Sequence, residues 1–389
     1  MKNKFIAERH LNYVNKGAAM AKSDVVAASM SDCINLSIGN PDFDTDQRVI
    51  DAAFADAGNG CTGYTNFQGD PELRAEIAKM YKEEYDMDVK DGQILITPSG
   101  CGSLYMIMAM ICEPGDEIIV QAPYFSSYCL QIELNGGKIV ELPTYEEDDF
   151  QVKPERLEAL ITDRTKAILI NSPSNPTGNC LSVETMKEIA AIAVKHDLLV
   201  IADDIYTAYS YQDKFVPFAS LPGMMERTIT INSASKDYIM CGWRVGNVIL
   251  PEDMMEVALR INQGMIFCAP SVSQRALIHA IRMRHEVQPA VVEEFKKRLT
   301  YGAERVNAIK NMHTVFPPKG TFYLWINIKD TGMTSNEVSE YILEHAHVLL
   351  LPGNNFGDCG EGFLRASLTV PVEKIKEAFD RIEKLDIFK

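Results

Sequence analysis

Between residues 94 and 250 the chain alternates two hydrophobic patterns. Short apolar runs occupy 94–97, 117–121, 167–171, 198–202, 228–231 and 245–250. They are too short for buried helices, rich in Ile, Leu and Val, and bounded by turn-forming residues, so each is predicted as a buried strand. Between them lie stretches with apolar residues three or four positions apart, such as 104–111 and 183–196. In the second of these Met186, Ile189, Ala190, Ala193 and Val194 recur at helical spacing. Strands alternating with helices predict an α/β unit with a mostly parallel, doubly wound sheet.

The C-terminal part reads differently. A long helix is predicted over 289–309, a strand over 321–328, a helix over 335–346 and a last helix from Val372, which together make a smaller α+β unit. The expected division is an N-terminal arm and part of the small domain in 1–45, a large domain in 46–275 and the small C-terminal domain in 276–389. The segment 251–270 is the expected bridge. No internal repeat or low-complexity tract interrupts this order.

Composition narrows the function. The 389 residues exceed what one core usually organises, and 46% hydrophobic with 24% charged residues is ordinary for a globular chain. A formal charge of -16, from 38 basic and 54 acidic residues, opposes binding to nucleic acid or an anionic membrane, so any positive charge that holds an anion must be local. Nine scattered cysteines with no C-x-x-C pair read as reduced thiols and no metal site. The first residues lack the apolar core of a signal peptide, and no run of about 18 apolar residues occurs, so the expected location is cytoplasmic.

Doubly wound sheets bind ligands beyond the carboxyl ends of their strands, which directs attention to four places. After 94–97 come Pro98-Ser99-Gly100-Cys101-Gly102-Ser103 and a helix, a small-residue turn that offers free amides and a helix dipole to an anion. It is neither a dinucleotide fingerprint, because Tyr105 stands at the third glycine, nor a P-loop, because no Gly-Lys-Ser/Thr follows. After 167–171, the turn Ser172-Pro173-Ser174-Asn175-Pro176-Thr177-Gly178 fixes an asparagine. The run 198–202 ends in Asp203-Asp204-Ile205-Tyr206; a carboxylate at a buried strand tip needs a cationic partner, while Asp204 reads as the cap of the next helix. The run 228–231 leads to Ser233-Ala234-Ser235-Lys236, with Arg244 beyond. Its Ser-x-x-Lys spacing also suits a penicillin-recognising serine enzyme, but neither Ser-Asp-Asn nor Lys-Thr-Gly accompanies it.

Taken in order, from Leu36-Ser37-Ile38-Gly39-Asn40-Pro41-Asp42-Phe43 to Phe363-Leu364-Arg365, these motifs resemble the class I and II aminotransferases of the fold-type I pyridoxal-phosphate group. The resemblance implies that the 46–275 unit holds pyridoxal 5'-phosphate. It makes Lys236 the Schiff-base lysine and general acid/base, with Asp203 facing the pyridine nitrogen. Asn175 and Tyr206 are implied to address the cofactor's O3′, and Phe125 to stack on its ring. Ser99, Gly100, Cys101, Ser233 and Arg244 fall to the phosphate, with Ser235 in support. Tyr64 is implied to reach the phosphate of a neighbouring subunit, hence a homodimer with shared sites. Arg365, the Gly39 amide and Asn175 are implied to bind the substrate's carboxylate end, and Tyr13, Ile38, Tyr323 and Gln263 are candidates for its side-chain pocket.

The implied reaction moves an amino group from an L-amino acid of aspartate, alanine or aromatic type to a 2-oxo acid, with 2-oxoglutarate as the expected acceptor. A C–S β-lyase of the same fold is the competing enzymatic reading, and a cofactor-binding regulator without catalysis is the reading from another class.

Overall fold

The computed structural model describes residues 5, 25–27 and 29–389. Its described strands are β1 (Ile34–Asn35), β2 (Ile94–Thr97), β3 (Glu117–Ala122), β4 (Lys138–Pro143), β5 (Thr165–Asn171), β6 (Leu199–Asp203), β7 (Thr228–Ser233), β8 (Gly246–Ile249), β9 (Tyr323–Asn327), β10 (Val348–Leu349), β11 (Leu351–Pro352) and β12 (Phe363–Ser367). Seven of them form one sheet in the order β2-β8-β7-β6-β5-β3-β4. Pairing is parallel from β4 through β7, and β8 runs antiparallel to both β7 and β2. The mostly parallel α/β architecture predicted from periodicity is present.

Helices cover both faces, which is why the inner strands read as unbroken apolar runs. On one face Ile118, Val120, Leu169, Ile201 and Ile229 pack with Leu104 and Ile107 of the helix Gly100–Ile111. On the other, Ile119, Ile168, Ile170 and Val200 pack with Met186, Ile189 and Ala193 of Val183–Lys195, which starts where the Ser182 hydroxyl accepts from Thr185 N. Of the seven strands in this sheet, periodicity overlooked only β4, at the sheet edge. Only Leu142 of its six residues is fully buried, and it begins at Lys138 and ends at Pro143, so it carries little apolar signal.

The second body holds the antiparallel sheet β11-β12-β9 and the parallel pair β1-β10. Its core joins Ile34 and Leu36 to Leu324, Ile326, Val348, Leu364 and Phe379, so the segment after the N-terminal arm is built into it. The helix predicted over 335–346 is Ser335–Ala346, where Thr334 and Glu337 form a reciprocal capping box.

Three details emerge at the expected boundaries. Most of residues 251–270, the expected bridge, form the helix Met255–Ile266, whose Met255 and Ala258 pack under the large sheet. A division at 275 falls inside the helix Ser271–Arg282, whose Ala276, Leu277, Ile278 and Ile281 pack with Val49, Leu73 and Ile96 of the large body. The long helix begins before Pro289, as Arg284–Ala308, and the proline sits inside its second turn at the cost of one amide. This helix joins the two bodies. Phe295 lies in an aromatic cluster with Tyr206, Tyr209, Phe322 and Tyr323, and Leu299, Ala303 and Val306 enter the core of the second body.

Phe295 is fully buried, with ring centroids 5.5 Å from Phe43, 5.8 Å from Tyr209 and 5.1 Å from Phe322. Phe295→Ala is expected to remove about 3–5 kcal/mol of stability, seen as a lower denaturation midpoint by circular dichroism.

Candidate active site

One cavity of about 350 Å³ lies where the carboxyl ends of the large sheet meet the second body. Ser99 and Gly100 follow β2, Phe125 follows β3, Asn175 follows β5, Asp203 ends β6, and Ser233 ends β7 with Lys236 just beyond. Arg244 precedes β8. Because that strand is reversed, its amino end reaches the edge where its neighbours present their carboxyl ends. Gly39 follows β1, and Arg365 lies within β12. Thus Ser99, Gly100, Cys101, Phe125, Asn175, Asp203, Tyr206, Ser233, Lys236, Arg244, Gly39 and Arg365 line one space, with Ser235, Ile38 and Tyr323.

Two candidates stand elsewhere, and a third is not among the described residues. Tyr64 is 85% exposed, with its ring 4.8 Å from that of Phe267. Gln263 is exposed on Met255–Ile266 and lies outside the cavity lining. Tyr13 lies outside the described residues.

Asp203 is buried, and its Oδ2 accepts from the Tyr128 hydroxyl. Oδ1 is buried with no hydrogen-bond partner. Burial pushes this carboxyl up to about 6, with Tyr128 and the Ile205 amide pulling it back. A partnerless carboxylate oxygen facing a cavity is a site for a cationic N–H donor. Asp204 does not cap a helix, which corrects the expectation: it is buried, Oδ2 has no partner, and burial with the charges of Asp203 and Asp237 pushes its carboxyl well above the usual range. Asp204 lies one residue past the end of β6 and does not line the cavity that Asp203 lines.

Asn171 fixes this end of the site. Its Nδ2 donates to the Asp203 carbonyl at 2.8 Å and its Oδ1 accepts from Asn175 N at 2.7 Å. Asn175 Oδ1 in turn accepts from Arg365 Nη1 at 3.0 Å. Arg365 is buried, donates through Nη2 to the Ser37 carbonyl, and lies 4.7 Å and 4.8 Å over the rings of Tyr323 and Phe356. Its Nε has no partner, and among the described residues no carboxylate pairs with it. Burial lowers its pKa. A buried guanidinium with no counter-ion is set to receive an anion from the cavity.

At the opposite wall Ser99 caps the helix Gly100–Ile111 through Oγ to Gly102 N at 3.2 Å, and Ser233 Oγ lies 2.9 Å from Ser235 Oγ. The turn is tightly closed: a Cβ on Gly246 would lie 2.7 Å from the Asn232 carbonyl and 3.3 Å from Gly100 N. Ser99 (φ 131°) and Arg244 (φ 54°) both hold backbone conformations that side-chain-bearing residues rarely adopt. Arg244 Nη1 donates to the Cys241 carbonyl at 2.7 Å, and the residue lines the cavity with the Ser99–Cys101 turn, Ser233 and Ser235, so amides, hydroxyls and a guanidinium suited to an anion border one space. Lys236 Nζ donates to the Gly39 carbonyl and lies 3.8 Å from Cys241 Sγ.

Sequence reasoning missed Tyr128 and Asn171. Both are buried polar residues in apolar surroundings, and only their partners across the sheet reveal their use. The signal available was a polar side chain stationed beside a strand end.

With this geometry in view, the relatives fit. The pattern of the class I and II aminotransferases matches residues 31–382. The chain is 39% identical to the aspartate aminotransferase of Pyrococcus abyssi over 366 residues, covering 92% of this chain and 93% of that protein. It is 38% identical to the aromatic-amino-acid aminotransferase 2 of Thermococcus litoralis, covering 92% and 93%. Among solved structures, the aromatic aminotransferase of Pyrococcus horikoshii superposes with a TM-score of 0.88 at 36% identity, covering 93% of this chain and 98% of that one. The chain belongs to the class I and II aminotransferases, a family that uses pyridoxal phosphate, and it is an aminotransferase.

The raised pKa of Asp203 sets a pH dependence. Its folded-state pKa of about 6 exceeds the unfolded 3.8, so the native state holds the proton more tightly and loses stability as pH rises through this window. In cofactor-free protein Asp203→Asn is expected to be more stable than wild type above pH 6, by on the order of 3 kcal/mol. The difference is expected to vanish below the unfolded value. Urea unfolding at a series of pH values measures it.

Proposed function

We propose that this cavity binds pyridoxal 5'-phosphate and an amino acid together, and that Lys236, Asp203 and Arg365 carry the transamination. The observation that supports this best is a pair of unmet demands on one cavity: a buried carboxylate oxygen without a donor at Asp203 and a buried guanidinium without an anion at Arg365. A ligand with a protonated ring nitrogen answers the first, and a substrate α-carboxylate answers the second. The turn Ser99-Gly100-Cys101 with Ser233, Ser235 and Arg244 suits a phosphate, so the donor set fits the cofactor at each of its ends.

When bound, the cofactor supplies the electron sink that lets a substrate carbon give up its proton. Asp203 would supply the negative charge for the ring nitrogen, with Tyr128 holding the carboxylate in place. Lys236 would anchor the cofactor through Nζ, and the same nitrogen would hold and move the substrate's Cα proton. Asn175 and Tyr206 would hold the cofactor's phenolic oxygen, and Phe125 would pack against its ring. Arg365 and the Gly39 amide orient the α-carboxylate.

The reading extends to a homodimer. Tyr64, Phe67 and Phe267 form an exposed aromatic cluster whose burial a second copy would provide, and Tyr64 would then serve the partner's phosphate. Among the described residues no helix is long and apolar enough to cross a membrane, and we place the enzyme in the cytoplasm.

Loading purified protein with pyridoxal phosphate is expected to give a visible absorption band that shifts on adding an L-amino acid and returns on adding 2-oxoglutarate. Lys236→Ala is expected to abolish the band; a wild-type protein with no band would overturn the proposal. Arg365→Ala is expected to keep the band and to lower kcat/KM by about 3–4 kcal/mol, on the order of 10²–10³-fold. Stopped-flow half-reactions check this.

A further inference from the structure

Tyr206 and Lys236 lie on different segments of the chain, yet two ties join them beneath the cavity. Thr207, next after Tyr206, donates its hydroxyl to Oδ2 of Asp237, next after Lys236. Oδ1 of the same carboxylate lies 3.4 Å from the Ala208 amide. Two residues on, the Tyr209 hydroxyl donates to the Lys236 carbonyl at 2.9 Å, and Tyr209 N donates back to the Tyr206 carbonyl at 3.0 Å. The short helix Ala234–Asp237 and the turn Thr207–Tyr209 are thereby fastened by the side chains of Asp237, Thr207 and Tyr209.

The acid is an expensive choice for this place. Asp237 is buried, among the described residues no cation pairs with it, and it is surrounded by the Asp204 carboxyl and the neutral phenols of Tyr85 and Tyr238, whose ionisation burial pushes up. Burial pushes its carboxyl up to about 7. A buried carboxyl without a counter-ion adds little to stability. What it does provide is a two-oxygen acceptor that fixes the direction of Thr207 and Ala208, and with them the Tyr206 ring, whose hydroxyl stands 3.1 Å from that of Tyr323.

We propose that Asp237, assisted by Tyr209, is a positioning residue that holds the Tyr206 hydroxyl in register with the Lys236 nitrogen. The inference rests on the reading that both residues address the same cofactor. Neither Asp237 nor Thr207 lines the cavity, so each acts through the residue before it.

The consequence is spectroscopic. A hydroxyl donated to the cofactor's phenolic oxygen withdraws charge from it and weakens its hold on the proton at the Lys236 nitrogen. Loss of that donation raises the pH at which the visible band titrates. Tyr206→Phe sets the full effect. Asp237→Ala and Thr207→Val are expected to shift the titration in the same direction, by about 0.5–1 pH unit. Asp237→Ala combined with Tyr206→Phe is expected to titrate where Tyr206→Phe does. A direct charge effect predicts the opposite sign for Asp237→Ala, because removing a negative charge near the nitrogen makes it easier to deprotonate. A purely structural role predicts a lower melting midpoint with an unmoved titration. Either result overturns the proposal, and Thr207→Val decides it if Asp237→Ala does not fold, since it removes the tie and leaves the acid in place. A wild-type protein with no titrating band counts against the cofactor reading itself; a band that responds to Tyr206→Phe and not to these variants counts against the positioning role alone.

Discussion

The fold is organised around a carboxylate kept out of water. Asp203 stands at the end of a central strand with neighbours on both sides, so its carboxyl group is buried by the sheet that positions it. One oxygen is held by Tyr128 and the other is left without a partner. Burying such a group as a carboxylate costs free energy, which a proton relieves at low pH and a cationic partner in the cavity would offset above it. Much of the surrounding polar machinery serves this arrangement: Asn171 ties the Asp203 backbone to the Asn175 turn, and that turn orients Arg365 across the space.

The same logic places the other charges. Arg365 is a cation without an anion, held between aromatic faces that leave its Nε unmatched. Lys236 follows the strand beside Asp203, and the reversal of β8 brings Arg244 to the same edge. Opposite charges are kept apart by the cavity and not allowed to neutralise one another. A ligand with positive and negative ends therefore gains where each end meets its counter-charge, and the free chain is less stable for it.

Much of this was legible in the sequence because the inner strands are buried on both faces. Their apolar runs mark the strand ends, and the strand ends mark the site; Ser99, Asn175, Asp203 and Lys236 all stand just there. The edge strand β4, half exposed and bounded by Lys138 and Pro143, carried no such signal. Asp204 shows the limit of local rules: an acid before a turn has the composition of a cap, and only the sheet reveals that it points into the interior. Tyr128 and Asn171 were hidden for a related reason, since their partners lie 75 and 32 residues away in the chain. The helix joining the two bodies was placed too late because its proline suggested a start, although an interior position is tolerated near the first turns.

The central claim is that Asp203 is the counter-charge of a cationic ring nitrogen. It is tested most directly by comparing the affinity of the cofactor-free protein for pyridoxal phosphate with that for an analogue in which the ring nitrogen is replaced by C–H. Wild type is expected to bind the analogue on the order of 10²-fold more weakly, the worth of a charge-assisted hydrogen bond to a buried group, and Asp203→Ala is expected to bind the two alike. Equal affinities in wild type, or the same preference in the variant, would contradict the account.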